Sequence, residues 1–159
     1  MTVSLSGCIF DSGNKSIVGR YIVLWIDLPQ NQTLSLQSAT DAASSSQIIP
    51  PYIFAVGHNN RFIIAKQHPT NGFEGGYKID TSITLYYILD MKAKSRYEDY
   101  TLYGPLTPAA FIRLSARFDL QQVPFDVQYP DNIYPTIRLS DSARKAQVLS
   151  QSPFPAARP

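Results

Sequence analysis

The order of local signals along the chain narrows its architecture more than any single motif does. Short β-rich runs come first, one helical pattern follows, and proline interrupts everything after it. Parallel βαβ units need a crossover after each strand, and strands that all precede the helix cannot supply one. The expected fold is therefore α+β: a single antiparallel β-sheet of about five to six strands, packed by one main helix and followed by an irregular, Pro-rich C-terminal tail.

The runs themselves are legible. Residues 20–28, Arg-Tyr-Ile-Val-Leu-Trp-Ile-Asp-Leu, are apolar on both faces, as in a central strand. Residues 33–37 alternate and read as a short strand, whereas the Ser/Ala-rich stretch 38–47 reads as a loop. Residues 52–56 and 61–66 flank a turn at Gly57-His58-Asn59-Asn60, the pattern of a hairpin. The stretch 68–80 carries Pro69, Gly72, Gly75 and Gly76 and reads as a long loop. Residues 81–89 form the next strand, with Ile83, Leu85, Tyr87 and Leu89 on one face. A basic turn then leads into a partner strand over 97–103, stopped by Gly104-Pro105.

The helix begins at Thr107, a good N-cap, with Pro108 at the first helical position. Ala110, Phe111, Leu114 and Phe118 follow at helical spacing, and Arg113 and Arg117 share the other face. A second, weaker helix is expected from about residue 140 to Leu149.

Composition bounds the function. Hydrophobic residues make up 44% of the chain and charged residues 16%, the balance of a packed globule. A net charge of +2 gives no electrostatic case for nucleic acid as a partner. No stretch approaches the roughly 18 apolar residues of a spanning helix.

The only cysteine, Cys8, closes the sequence Leu5-Ser6-Gly7-Cys8. An aliphatic residue, two small residues and a cysteine read as a bacterial lipobox, which makes Cys8 the site of lipid attachment and the mature N-terminus. Seven residues cannot hold the basic and apolar parts of a secretory signal, so the gene is expected to begin upstream. Residues 1–8 are then the remnant of a lipoprotein signal, 9–18 a flexible tether, 19–121 the α+β domain, and 122–159 an irregular, partly disordered tail. The residue after Cys8 is Ile9 and not Asp, which in Gram-negative lipoproteins points to the outer membrane, facing the periplasm.

Several segments occur in a set order: Gly19-Arg20-Tyr21, Ile49-Pro50, Phe62-Ile63-Ile64-Ala65-Lys66-Gln67, Tyr86-Tyr87-Ile88-Leu89-Asp90 and Tyr103-Gly104-Pro105-Leu106. Over residues 19–118 the chain resembles a family of small, uncharacterised bacterial lipoproteins with no established function. The resemblance carries over no catalytic or binding residue.

The candidate chemistry is sparse. His58 and His68 have no second ligand at metal spacing, so neither a metal nor a cofactor is expected. No Gly-x-Ser-x-Gly elbow accompanies the serines. Asp90 reads as a turn-initiating residue beside Lys92, and Lys66 as the exit of its strand into water. Phe73 and Tyr77 stand on the long Gly-rich loop, where exposed aromatics suit a protein interface. Lys92, Lys94 and Arg96 form the basic turn.

These features describe a binder and not an enzyme. The expected function is a lipid-anchored envelope protein whose specific role is immunity against a periplasm-targeted toxin. It would meet the membrane through Cys8 and a protein partner through Phe73, Tyr77, Lys92, Lys94 and Arg96. A structural or accessory lipoprotein of an envelope assembly is the alternative. An envelope hydrolase using Asp90, His58 or His68 comes third.

Overall fold

The computed structural model describes residues 12–28, 30–70, 79–93 and 98–128. The chain divides into two compact units, Met1–Pro51 and Tyr52–Pro159. The fold is mostly β, with two antiparallel sheets and one helix, so the expectation of a single sheet is corrected.

The first unit is a four-stranded meander in the order β1-β2-β3-β4: β1 (Gly13–Val18), β2 (Tyr21–Trp25), β3 (Thr33–Gln37) and β4 (Ser45–Ile49). β2 is central, as its two-sided apolar pattern requires, and Tyr21, Ile22 and Val23 are buried. It stops at Trp25, short of the expected residue 28, and Ile26 and Leu28 stand exposed in the turn beyond it. Two segments without an apolar pattern also joined the sheet. Residues 13–18, read as tether, form β1, and residues 45–49, mostly read as loop, form β4. Their Ser, Asn, Lys and Gln side chains face water while the backbone pairs with β2 and β3.

The second unit holds a five-stranded sheet in the order β8-β7-β6-β5-β9. Its strands are β5 (Ile53–His58), β6 (Phe62–Gln67), β7 (Leu85–Asp90), β8 (Thr101–Leu106) and the short β9 (Val127–Gln128). Both faces of its centre are buried. On one, Ile63, Ala65, Leu85, Tyr87 and Leu89 are at most 3% exposed. On the other, Phe62, Ile64 and Ile88 meet Leu120, Phe111, Leu114 and Phe118.

The helix α1 (Pro108–Arg117) lies on that second face through the predicted stripe. Thr107 caps it by accepting the Ala110 N–H, and Pro108 fills the first position, where a missing N–H costs nothing. Arg113 and Arg117 are exposed.

The tail departs from expectation as far as residue 128. Leu120, Val123 and Phe125 pack on the helix-side core, and β9 pairs with β5. Gly57 belongs to β5 and not to the turn. Pro124 passes so close that a Cβ at Gly57 would lie 1.9 Å from its carbonyl oxygen. The hairpin turn is instead Asn59-Asn60-Arg61, where Asn59 Oδ1 accepts the Arg61 and Phe62 N–H groups. β8 runs through the cis Gly104-Pro105 bond, because an edge strand has no outer neighbour that needs the proline's missing N–H. The weak helix expected near residues 140–149 lies outside the described residues.

Candidate functional site

Apart from Ser115 on the helix, the buried polar residues of the second unit gather where loops leave the sheet. At one end β6 passes into the long connection to β7. His68 is buried, stacks on Phe54 with centroids 4.1 Å apart, and its Nδ1 meets the Ile83 carbonyl at 2.7 Å. Its N–H donates to Tyr52 O. Asp80, also buried, returns its N–H to Pro69 O, and its carboxylate accepts the Ser82 N–H and hydroxyl. Thr70 and Ile79 bridge the two arms. The base of the loop is therefore fastened from both sides.

At the opposite end, Asp90 closes β7 and starts the turn to β8. Its Oδ1 accepts the Lys92 and Ala93 N–H groups at 3.0 and 3.2 Å, as expected of a turn-initiating residue. The carboxylate also receives a fork from Arg61, Nε and Nη2, with the shortest contact 2.7 Å. Burial alone would raise the Asp90 pKa. Arg61 and the two backbone donors outweigh it and hold the carboxyl below its ordinary range. Thr101 Oγ1 donates to Ala93 O from the returning strand.

At the His68 end of β6, Gln67 is buried and accepts the Tyr87 hydroxyl at 2.7 Å, and burial pushes the Tyr87 phenol well above its ordinary pKa. On the helix side Lys66 does not simply leave for water. Its ammonium stands 4.2 Å from the Phe125 ring centre and 5.8 Å from that of Tyr86, and Tyr86 stacks on Phe111. A cation over aromatic faces is stabilised by the ring quadrupole, so Lys66 also secures the folded part of the tail.

Of the predicted binding and anchoring residues, Lys92 alone lies among the described residues. Lys92 is exposed at the Asp90 end. Lys94 and Arg96 lie outside the described residues, as do Phe73, Tyr77 and Cys8. The stems of the two loops leave opposite ends of a six-residue strand, about 17 Å apart.

The catalytic candidates are also separated. Asp90 and His68 occupy opposite ends of the sheet. His58 pairs with Ile63 and Ile63 with Leu89, so His58 faces away from Asp90. Among the described residues no group of three His, Cys, Asp or Glu side chains could hold a metal ion, and no helix is long and apolar enough to cross a membrane.

A family model described as a protein of unknown function, DUF3997, matches residues 18–129. The chain belongs to this family. The matched stretch runs from the last residue of β1 to just past β9. It extends beyond residue 118, where the resemblance seen in the sequence stopped, and takes in Leu120, Val123, Phe125 and β9, which complete the sheet and its core. No curated protein and no solved structure matches the chain.

Sequence reasoning missed Arg61 as the partner of Asp90, and it missed the fastening role of His68 and Asp80. A local signal existed for Asp80. In Asp80-Thr81-Ser82 a short acid precedes a hydroxyl residue by two positions, the spacing of a side-chain-capped turn. Arg61 and Asp90 are 29 residues apart, and nothing local joins them.

Proposed function

We propose that this chain is a lipid-anchored protein of a bacterial cell envelope that acts by binding another protein. Its most specific role in this reading is immunity, the neutralisation of a toxin delivered into the periplasm. The lipobox-like Leu5-Ser6-Gly7-Cys8 supports the anchor, and Ile9 after the cysteine favours the outer membrane.

One observation supports binding over catalysis. The buried acids and the buried histidine of the second unit are used to fasten two connecting loops, and they do not converge on one point. Loops held by a rigid sheet are the usual carriers of recognition. The Asp90 loop presents Lys92, with Lys94 and Arg96 following in sequence. The other loop carries Phe73 and Tyr77 in sequence. The stems lie at opposite ends of the sheet, so each loop is tested separately as a partner surface, and the basic turn suits an acidic active-site cleft.

The test is a competition. Cells lacking the gene are mixed with toxin-producing sister cells, and survival is counted. The reading expects sensitivity that the wild-type gene rescues. A variant with Lys92, Lys94 and Arg96 changed to Glu should fold but rescue poorly if the basic turn is used, and Phe73→Ala with Tyr77→Ala should fail if the other loop is used. Deletion cells that survive equally well, yet show a leaky envelope with no rival present, would exclude immunity and favour an accessory role.

A further inference from the structure

The first unit has a built feature beside the point where the chain enters it. Gly13 opposes Trp25, which sets the start of β1 next to the β2–β3 turn. The indole covers Gly13 so closely that a Cβ there would stand 2.5 Å from the ring, and any larger residue would have to displace the indole. Asp27 N–H donates to Ser12 Oγ at 3.3 Å and ties the turn to the entering strand. Beyond Trp25 the turn exposes Ile26 by 58% and Leu28 by 48%.

This tip is not a loose loop. Leu28 N–H donates to Ile26 O and Asn31 N–H to Leu28 O, each at 2.9 Å, and Asn31 Nδ2 reaches Ile26 O at 3.4 Å. Asp27 adopts a left-handed φ of 69° at its apex. The carbonyls of both exposed apolar residues are thus satisfied inside the turn. That matters for a surface leaving water, because unmatched backbone groups oppose entry into lipid.

We propose that residues 26–28 form a bilayer-contacting tip that rests in the headgroup layer of the membrane holding Cys8. The inference rests on the lipid-anchor reading. Five residues carry the chain from Cys8 to Gly13, a reach of about 18 Å at full extension. The polar layer on each side of a bilayer is itself roughly 5–8 Å thick. An anchor so close keeps the Ser12–Trp25 end of the sheet at the membrane surface. Two of the residues that end presents, Ile26 and Leu28, are apolar with internally bonded carbonyls, so the occupant is lipid. The Asp27 carboxylate stays in the hydrated headgroups, which limits the tip to shallow insertion of Ile26 and Leu28.

The chain carries its own probes, because Cys8 is its only cysteine and Trp25 its only tryptophan. The full chain is coupled through Cys8 to a maleimide-headgroup lipid in phosphatidylcholine vesicles, with and without brominated phosphatidylcholine. Trp25 emission is expected to fall roughly twofold in the brominated vesicles, since interfacial contacts reach into the headgroup–acyl boundary. Ile26→Ser with Leu28→Ser should remove most of that quenching, and each single change should weaken residual lipid contact by roughly tenfold. Both positions are exposed, so the variants should keep the wild-type circular dichroism, and Leu28→Asn serves if the double variant does not. Fully coupled protein whose Trp25 is not quenched, or quenching unchanged by the substitutions, overturns the tip alone. An unmodified Cys8 thiol in protein isolated from native membranes overturns the anchor reading on which it rests.

Discussion

The two sheets are both antiparallel, yet they are held by different chemistry. In the second unit, β6 and β7 are buried at almost every position, and the polar residues among them are capped by partners at the strand ends. In the first unit, β1 and β4 expose most of their side chains, and hydroxyls stand among the buried residues. Thr33 Oγ1 bonds Leu24 O at 3.2 Å and Ser35 Oγ at 3.1 Å. A strand buried on both faces has its register set by side-chain burial. A strand with one wet face relies more on backbone pairing and its turns. The contrast puts the apolar scaffold with its fastened loops in the second unit and a more polar meander in the first.

The comparison breaks most sharply through the core. Ile88 is fully buried against the helix, and Ile88→Ala should cost about 3–5 kcal/mol, read as a drop in the urea midpoint. A loss under 1 kcal/mol would mean that the second sheet is not the tightly packed one. Next comes the folded tail. Gly57→Val would drive a side chain into Pro124, cost roughly 1–3 kcal/mol and release β9, seen as faster amide exchange at residues 127–128.

Asp90→Asn sharpens the claim about loops. It should cost about 1–2 kcal/mol at pH 7, because the amide keeps an acceptor for the turn but loses the fork to Arg61. The pH dependence has a definite sign. A carboxyl held below its ordinary range contributes stability above the unfolded value of about 3.9 and loses it as pH falls through the folded value. Wild type should therefore lose more stability than the variant on acidification below about pH 4, as urea titrations at pH 7 and pH 3 would show. Lys66→Met, which keeps the stem and removes the cation, should cost about 0.5–1 kcal/mol. Smallest of all, Ser46→Ala on exposed β4 should change thermal stability by under about 0.5 kcal/mol.

Apolar patterning made the second unit readable. Residues 62–65 alternate between two buried faces, and the helix announced itself through Thr107, Pro108 and a stripe at regular spacing, so the sequence reading came close to the bounds of both elements. β1 and β4 were invisible for the opposite reason. Gly-Asn-Lys-Ser and Ser-Ser-Gln carry no burial signal, and their pairing is decided by backbone bonds to β2 and β3. β9 was hidden because two residues carry no period, and Gly57 looked like a turn because the passage of Pro124 over it is a tertiary fact. The candidate site was legible only in its loops. Which ends of the sheet those loops occupy depends on strand order, and Arg61 found Asp90 through the register of β6 and β7.

The account turns on fastened loops meeting a protein. A photo-crosslinking amino acid placed at position 92, and separately at position 77, in the full chain in intact cells tests it in one gel. The account predicts a discrete, higher-mass protein adduct from one of the two positions, which disappears when a crosslinker at position 92 is combined with Asp90→Ala or one at position 77 with Asp80→Ala. Irradiation that yields only the uncrosslinked chain from both positions, in cells that also contain the rival's toxin, would contradict it.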